Sequence, residues 1–176
     1  TGSRTPLVAL TLAILWMSFV SRNRRAALLL SGMFLGGVAL LLFYPELITE
    51  RGTSFRLELW SISLQLIAEH PWIGHSYDSE LYLTLAEGYQ LREPHSFALG
   101  VLYYVGIIGF IPWAFMLGWG LYKGLKERAQ PLFILASSLL AYGIGAGLTE
   151  GGGILSRPKE HWFLLWIPLA IITGLS

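Results

Sequence analysis

Residues 51–96 read RGTSFRLELWSISLQLIAEHPWIGHSYDSELYLTLAEGYQLREPHS, the one long polar segment of a 176-residue chain otherwise made mostly of apolar runs. It holds His70, His75 and His95, three of the four histidines, with Arg51, Arg56, Glu58, Glu69, Asp78, Glu80, Glu87, Arg92 and Glu93. Thr53 or Ser54 can cap a helix in which Phe55, Leu59, Ile62 and Leu66 recur at helical spacing. The expectation is an amphipathic helix over 53–69 lying at a membrane surface. His70-Pro71 stops it and Gly74 turns the chain. Residues 79–88 are expected to form a second short helix, and 88–96 a loop in which Pro94 fixes the backbone just before His95.

Outward from this stretch the chain is apolar in both directions. Pro6–Val20 and Ala26–Tyr44 are uncharged runs separated by SRNRR at 21–25. Downstream come Phe97–Tyr122, Leu132–Leu148 and a somewhat short Trp162–Leu175. A bilayer crossing takes about 20 apolar residues, so these are five candidate spans. Gly106, Gly109 and Pro112 predict a kink in the third. Gly143 to Gly147 (GIGAG) reads as small-residue helix packing, because no Gly-Lys-Ser/Thr follows to make a phosphate loop. The composition agrees: 54% of residues are hydrophobic and 13% charged, against about 25% charged in soluble domains. The fold class is therefore an all-α polytopic membrane protein with about five transmembrane helices and one polar loop. Residues 1–44 supply the first two helices, 45–96 the loop, and 97–176 the last three.

Charge sets the orientation. SRNRR and the turn carrying Lys123, Lys126 and Arg128 fall on one side if all five segments cross. By the positive-inside rule that side is the cytoplasm. Arg4, the 51–96 stretch and the Gly-rich turn 149–161 then share the outer face. Between Pro45 and Pro94 there are eight acids against three arginines, which suits an exported loop. A net charge of +1 gives no bulk attraction to nucleic acid, and the lack of cysteine excludes a disulfide framework, a thiolate nucleophile and a Cys-ligated metal. The chain opens on Thr1 without a signal-peptide pattern and is expected to be part of a longer polypeptide.

Three arginines, Arg4, Arg56 and Arg157, sit beside membrane boundaries on the outer face. A guanidinium fork binds phosphate oxygens bidentately and stays charged at any working pH, so a lipid phosphate or diphosphate is a fitting ligand. Snorkelling to the head groups, or an internal pair such as Arg56 with Glu58 or Glu69, is the other use of such residues. His95, in REPHS at the mouth of the third span, can act as a general base toward a hydroxyl or simply cap the helix that follows. His70, His75 and Asp78 lack the convergent spacing of a zinc site; HPWIGH reads as a helix stop and a turn. GHSYD lacks the second glycine of a nucleophile elbow. Glu150 is expected to be solvated or to pair with Arg157 or Lys159.

RGTSFRLELWSISLQLIAEHPWIGHS, then PHS before the glycine-containing LGVLYYVGIIGF, resembles the O-antigen ligase and Wzy-type polymerase superfamily. The shared pattern is an arginine, a tryptophan four residues on, a helix ending in HP-x-x-G and a later Pro-His. TGSRTP at residues 1–6 resembles the Ser-Arg motif ahead of the family's periplasmic loop. The resemblance implies part of a GT-C-type membrane glycosyltransferase in the bacterial inner membrane with its active face periplasmic. It implies an undecaprenyl-diphosphate-linked glycan donor and, as acceptor, the lipid A core or a growing glycan. It places diphosphate-binding arginines on Arg4 and Arg56, a general base on His95 and a further substrate contact on Arg157, with no metal or cofactor. Ser96 stands where the family often has Asn. The alternatives are a polymerase using the same donor and a lipid or polysaccharide transporter without covalent chemistry. A transporter is expected to carry ionisable groups at mid-membrane, whereas here they gather at one surface.

Overall fold

A computed structural model of the chain describes residues 5–22, 55–151 and 160–175, with residues 25, 28, 29, 32, 33, 36 and 43. Its bounded elements are α1 (Thr5–Ser21), α2 (Arg56–Glu69), β1 (Leu83–Thr84), β2 (Gln90–Leu91), α3 (Phe97–Lys126), α4 (Pro131–Gly147) and α5 (Glu160–Gly174). Most of the expected second span, Ala26–Tyr44, lies outside the described residues; those described within it are helical. Among the described helices α3 alone is long and apolar enough to cross a membrane by length and composition; α1, α4 and α5 are apolar and shorter.

The helices close on α4, and the glycines of GIGAG explain how. A Cβ on Gly143 would lie 2.4 Å from the Leu164 carbonyl oxygen, one on Gly145 2.9 Å from the Ala9 Cα, and one on Gly147 2.3 Å from the Phe97 ring. Successive glycines thus seat α5, α1 and the start of α3 directly on the α4 backbone, as the small-residue reading expects. Phe133, Ala136, Leu140, Leu165, Leu169 and Ile172 form the core between these helices, with Phe97 and Leu117 from α3. The Trp16 indole N–H of α1 donates to Ser137 Oγ of α4 at 3.0 Å.

The helix α3 is two helices joined at Gly106, whose φ of 61° and ψ of −168° are not helical. Gly120 of α3 packs on Leu140, and Phe97 packs on Gly147. In a straight helix Phe97 would lie about 35 Å from Gly120, yet Gly147 is only about 10 Å along α4 from Leu140. The first nine residues of α3 are therefore folded over the end of α4. Of the three expected kink residues, Gly106 makes the break; Pro112 sits within helical backbone.

A break inside a helix strands backbone groups that need partners. The HPWIGH turn supplies them. Ile107 and Ile108 donate their N–H groups to the carbonyls of Pro71 (2.9 Å) and Trp72 (3.0 Å), and the His75 N–H donates to the Tyr103 carbonyl at 2.8 Å. Two glycines with positive φ, Gly74 and Gly106, meet backbone to backbone: a Cβ on Gly106 would be 2.4 Å from the Trp72 carbonyl and one on Gly74 2.6 Å from Val105 N.

Two expectations for the polar stretch are corrected. The helix α2 starts at Arg56, preceded by Phe55 with φ 36° and no side-chain cap; Thr53 and Ser54 lie outside the described residues. Its buried face is Leu59, Ser63 and Ile67, while Phe55 is exposed. Residues 79–88 form no helix. Leu81, Leu83 and Leu85 are buried and Tyr82 and Thr84 exposed, the period-two pattern of a strand. The pairing is antiparallel, Leu83 opposite Leu91 and Thr84 opposite Gln90, with Gly88 at φ 85° in the turn. The hairpin packs on α2 and Tyr103 as a second, smaller core. Glu58 Oε1 accepts the Ala86 N–H at 2.7 Å and ties the hairpin tip to the first turn of α2.

Candidate active site

Four segments far apart in sequence meet at the end of the bundle where α4 terminates: the first residue of α1, the first residue of α2, the loop entering α3 and the turn after α4. Glu150 is at the centre. Its Oε1 accepts from the Arg56 Nη2 at 3.3 Å, and its Oε2 lies 3.5 Å from the His95 Nδ1. The Thr5 hydroxyl, itself buried, donates to the same Oε1 at 3.2 Å and lies 2.9 Å from the Thr149 hydroxyl. Thr5 has one proton to give, so the consistent arrangement has Thr149 donating to Thr5 and Thr5 to Glu150.

Each side chain is held by its own element. Arg56 opens α2, and Trp60, one turn on, packs against the core of Leu59, Leu83 and Tyr103. The arginine-to-tryptophan spacing therefore fixes the helix end that carries the guanidinium. His95 lies between Pro94 and Ser96, both buried. Its φ of 48° is a left-handed conformation, as is the 36° of Phe55 beside Arg56. Such backbone in a residue other than glycine costs on the order of 1–3 kcal/mol and is tolerated where the surroundings impose it, commonly at functional sites. Ser96 precedes α3 without a side-chain cap. Gly151, at φ 92°, turns the chain directly after Glu150.

The side chains of Arg56, Glu150 and His95 are 29%, 32% and 37% exposed. Ion pairs this wet contribute about 1 kcal/mol or less to stability, so the cluster is a poor device for holding the fold. It is a good device for orienting groups that open water can reach. The carboxylate facing Nδ1 favours the tautomer with its proton there, which leaves Nε2 as the acceptor. Arg56 uses one Nη toward Glu150 and keeps other N–H donors of its fork for a ligand.

The expected Arg56 pairing with Glu58 or Glu69 is replaced by Glu150, and Glu58 serves the hairpin instead. His70 and His75 do not join this site. Their rings meet edge to face at 4.7 Å, His75 stacks on Tyr103 at 4.4 Å, and the His75 Nε2 bonds the Leu66 carbonyl at 2.7 Å. They are parts of the turn.

Comparison with known proteins places the chain in a family. Residues 1–114, which carry both Arg56 and His95, match the O-antigen ligase family. The chain belongs to that family. An O-antigen ligase of Pseudomonas aeruginosa is 45% identical over 175 residues, covering 99% of this chain and 44% of the relative. The chain thus spans less than half the length of that O-antigen ligase. No solved structure matches. Glu150 lies beyond the part of the chain matched to the O-antigen ligase family but within the span shared with the Pseudomonas relative. Among the residues named from sequence, the structure brings Arg56 and His95 together; Arg4 and Arg157 lie outside the described residues. Glu150, expected from the sequence to be solvated or to pair with Arg157 or Lys159, which lie outside the described residues, is about one-third exposed and faces Arg56 and His95. The sequence signal for this meeting is topological: an acid at the end of a span, on the face expected to carry Arg56 and His95.

Proposed function

We propose that the chain forms the periplasmic catalytic face of an inner-membrane glycosyltransferase that moves a glycan from an undecaprenyl-diphosphate carrier to the lipid A core in lipopolysaccharide biosynthesis. The observation that carries the reading is the single carboxylate of Glu150 holding Arg56 on one oxygen and His95 on the other. In the proposed reaction the His95 Nε2 takes the proton of the acceptor hydroxyl as that oxygen attacks the anomeric carbon. The bond from that carbon to the diphosphate oxygen breaks, and the lipid diphosphate leaves with the electron pair. Arg56 holds the developing charge. One displacement on the face opposite the leaving group inverts the anomeric centre. Glu150 stabilises the imidazolium that forms, as an acid behind a histidine base does.

Arg4 directly precedes Thr5, whose hydroxyl touches Glu150, and this supports Arg4 as a second diphosphate ligand. Arg157 is proposed as a further substrate contact. The groups this chain supplies are an acid, a base and guanidinium forks, a set that can run the reaction without metal. The proposed organisation is a GT-C-type fold in which five helices cross the membrane, with 1–44, 45–96 and 97–176 as first pair, site-bearing loop and last three. A broken helix such as α3 is also a transporter feature. Here the Ile107 and Ile108 amides and the Tyr103 carbonyl at the break are occupied by the 71–75 turn, which favours a structural role for it.

The test uses the full-length protein in lipid vesicles with a polyprenyl-diphosphate glycan, chelator present, and lipid A core, free glycan repeat or water as acceptor. Transfer to lipid A core is the expected product. Longer glycan on the carrier would instead identify a polymerase, and no donor consumption with any acceptor would remove the glycosyltransferase reading.

A further inference from the structure

The HPWIGH turn carries two large apolar side chains on its outside. Trp72 is 65% exposed and Ile73 71%. Neither can fold inward, because the backbone on both sides is pinned into the break of α3 by the bonds of Pro71, Trp72 and His75 and by the Gly74–Gly106 contact. A rigid turn that displays tryptophan and isoleucine needs a reason, since water is a poor neighbour for both.

The surface beside it supplies one. Ile108, whose N–H is bonded to the Trp72 carbonyl, begins a row of outward side chains down one face of α3: Ile108, Ile111, Phe115, Trp119 and Tyr122, all exposed. The bond from the Ile108 N–H to the Trp72 carbonyl puts the exposed Trp72 and Ile73 turn at the head of that row. From Ile107 to Lys126 the second half of α3 has twenty residues, a length of about 30 Å, which is the thickness of a hydrocarbon core. Lys123 and Lys126 lie at its far end with Trp119 and Tyr122 just before them, the usual order of residues at a membrane boundary. At the near end that boundary falls on Gly106, and so on the 71–74 turn.

We propose that Trp72 and Ile73 form a fixed wedge that enters the lipid bilayer at its outer interface and sets the depth at which α2 and its Arg56 end are held. The partner surface is lipid. This inference rests on α3, the turn and the proposed orientation, and is independent of the reaction the protein performs.

The 176 residues contain no cysteine; any cysteine elsewhere in the full-length protein is replaced by serine first, so each introduced thiol is the one labelled. Nitroxide labels on Ile73→Cys, on Phe115→Cys in the lipid-facing row and on Glu87→Cys at the hairpin tip are compared in the full-length protein. The protein is reconstituted in phosphatidylethanolamine–phosphatidylglycerol vesicles, and collisions with oxygen, which concentrates in lipid, and with a water-soluble nickel chelate are recorded. The label at residue 73 is expected to favour oxygen, as at 115, while the label at 87 favours nickel. A residue-73 label as open to nickel as that at 87, or shielded from both reagents by other protein, overturns the proposal. Trp72→Cys is read in the same way and keeps the test decisive if one variant fails to assemble.

Discussion

A carboxylate that faces a guanidinium with one oxygen and an imidazole with the other ties the position of each to the other, and this is what Glu150 does for Arg56 and His95. Arg56 and His95 could be singled out in the sequence because each sits beside an expected membrane boundary on the outer face and matches the arginine–tryptophan and Pro-His pattern of the family. Glu150 could not be paired with them, because the Arg56–Glu150 contact joins residues 94 positions apart and no local spacing encodes it. The choice of arginine at 56 is testable. Lysine keeps the charge but not the planar fork, and cannot hold Glu150 and a phosphate oxygen in one fixed geometry. Arg56→Lys is expected to lower transfer by roughly tenfold or more, on the scale of losing one charge-stabilising donor. Measured kcat and KM for the lipid-linked donor check this; wild-type values in the lysine variant would mean that charge alone suffices.

At the scale of elements, the lengths of the uncharged apolar runs located α1, α3, α4 and α5 to within a few residues, since such runs have few other options. Hairpin β1–β2 escaped notice for a physical reason. LYLTL alternates with period two, but five residues followed by Ala-Glu-Gly also satisfy a short helix, and the packing of Leu81, Leu83 and Leu85 on α2 decides the matter. The break in α3 was placed among three residues, and only the contact with the 71–75 turn selects Gly106. A methyl group there would meet the Trp72 carbonyl at 2.4 Å and force a left-handed alanine. Gly106→Ala is expected to destabilise the protein by about 3 kcal/mol or more. Gly118→Ala, with nothing within 4 Å, is expected to change stability by about 1 kcal/mol at most. Thermal unfolding of the two variants in detergent separates them; equal midpoints would mean the turn does not lock the break.

For the whole molecule, the arrangement places polar chemistry at one end of an apolar bundle. Thr5, Arg56, His95 and Glu150 meet there, while Lys123 and Lys126 close the other end of α3. The charge bias of the sequence made this polarity legible, although the way α3 bends over α4 to deliver His95 was not, because it depends on the Phe97–Gly147 contact. Orientation is checked with a membrane-impermeant thiol reagent on spheroplasts. Glu87→Cys is expected to react in intact spheroplasts and Arg128→Cys only after permeabilisation; the reverse pattern would invert the proposed topology. The most direct test of the central claim, that Glu150 acts through His95 in one transfer site, is a double-mutant cycle. Transfer rates are measured for wild type, Glu150→Gln, His95→Ala and the double variant, all correctly inserted. The account predicts that each single change lowers the rate by about a hundredfold or more and that the double variant is no slower than His95→Ala alone. Losses that multiply independently, or full activity in either single variant, would contradict it.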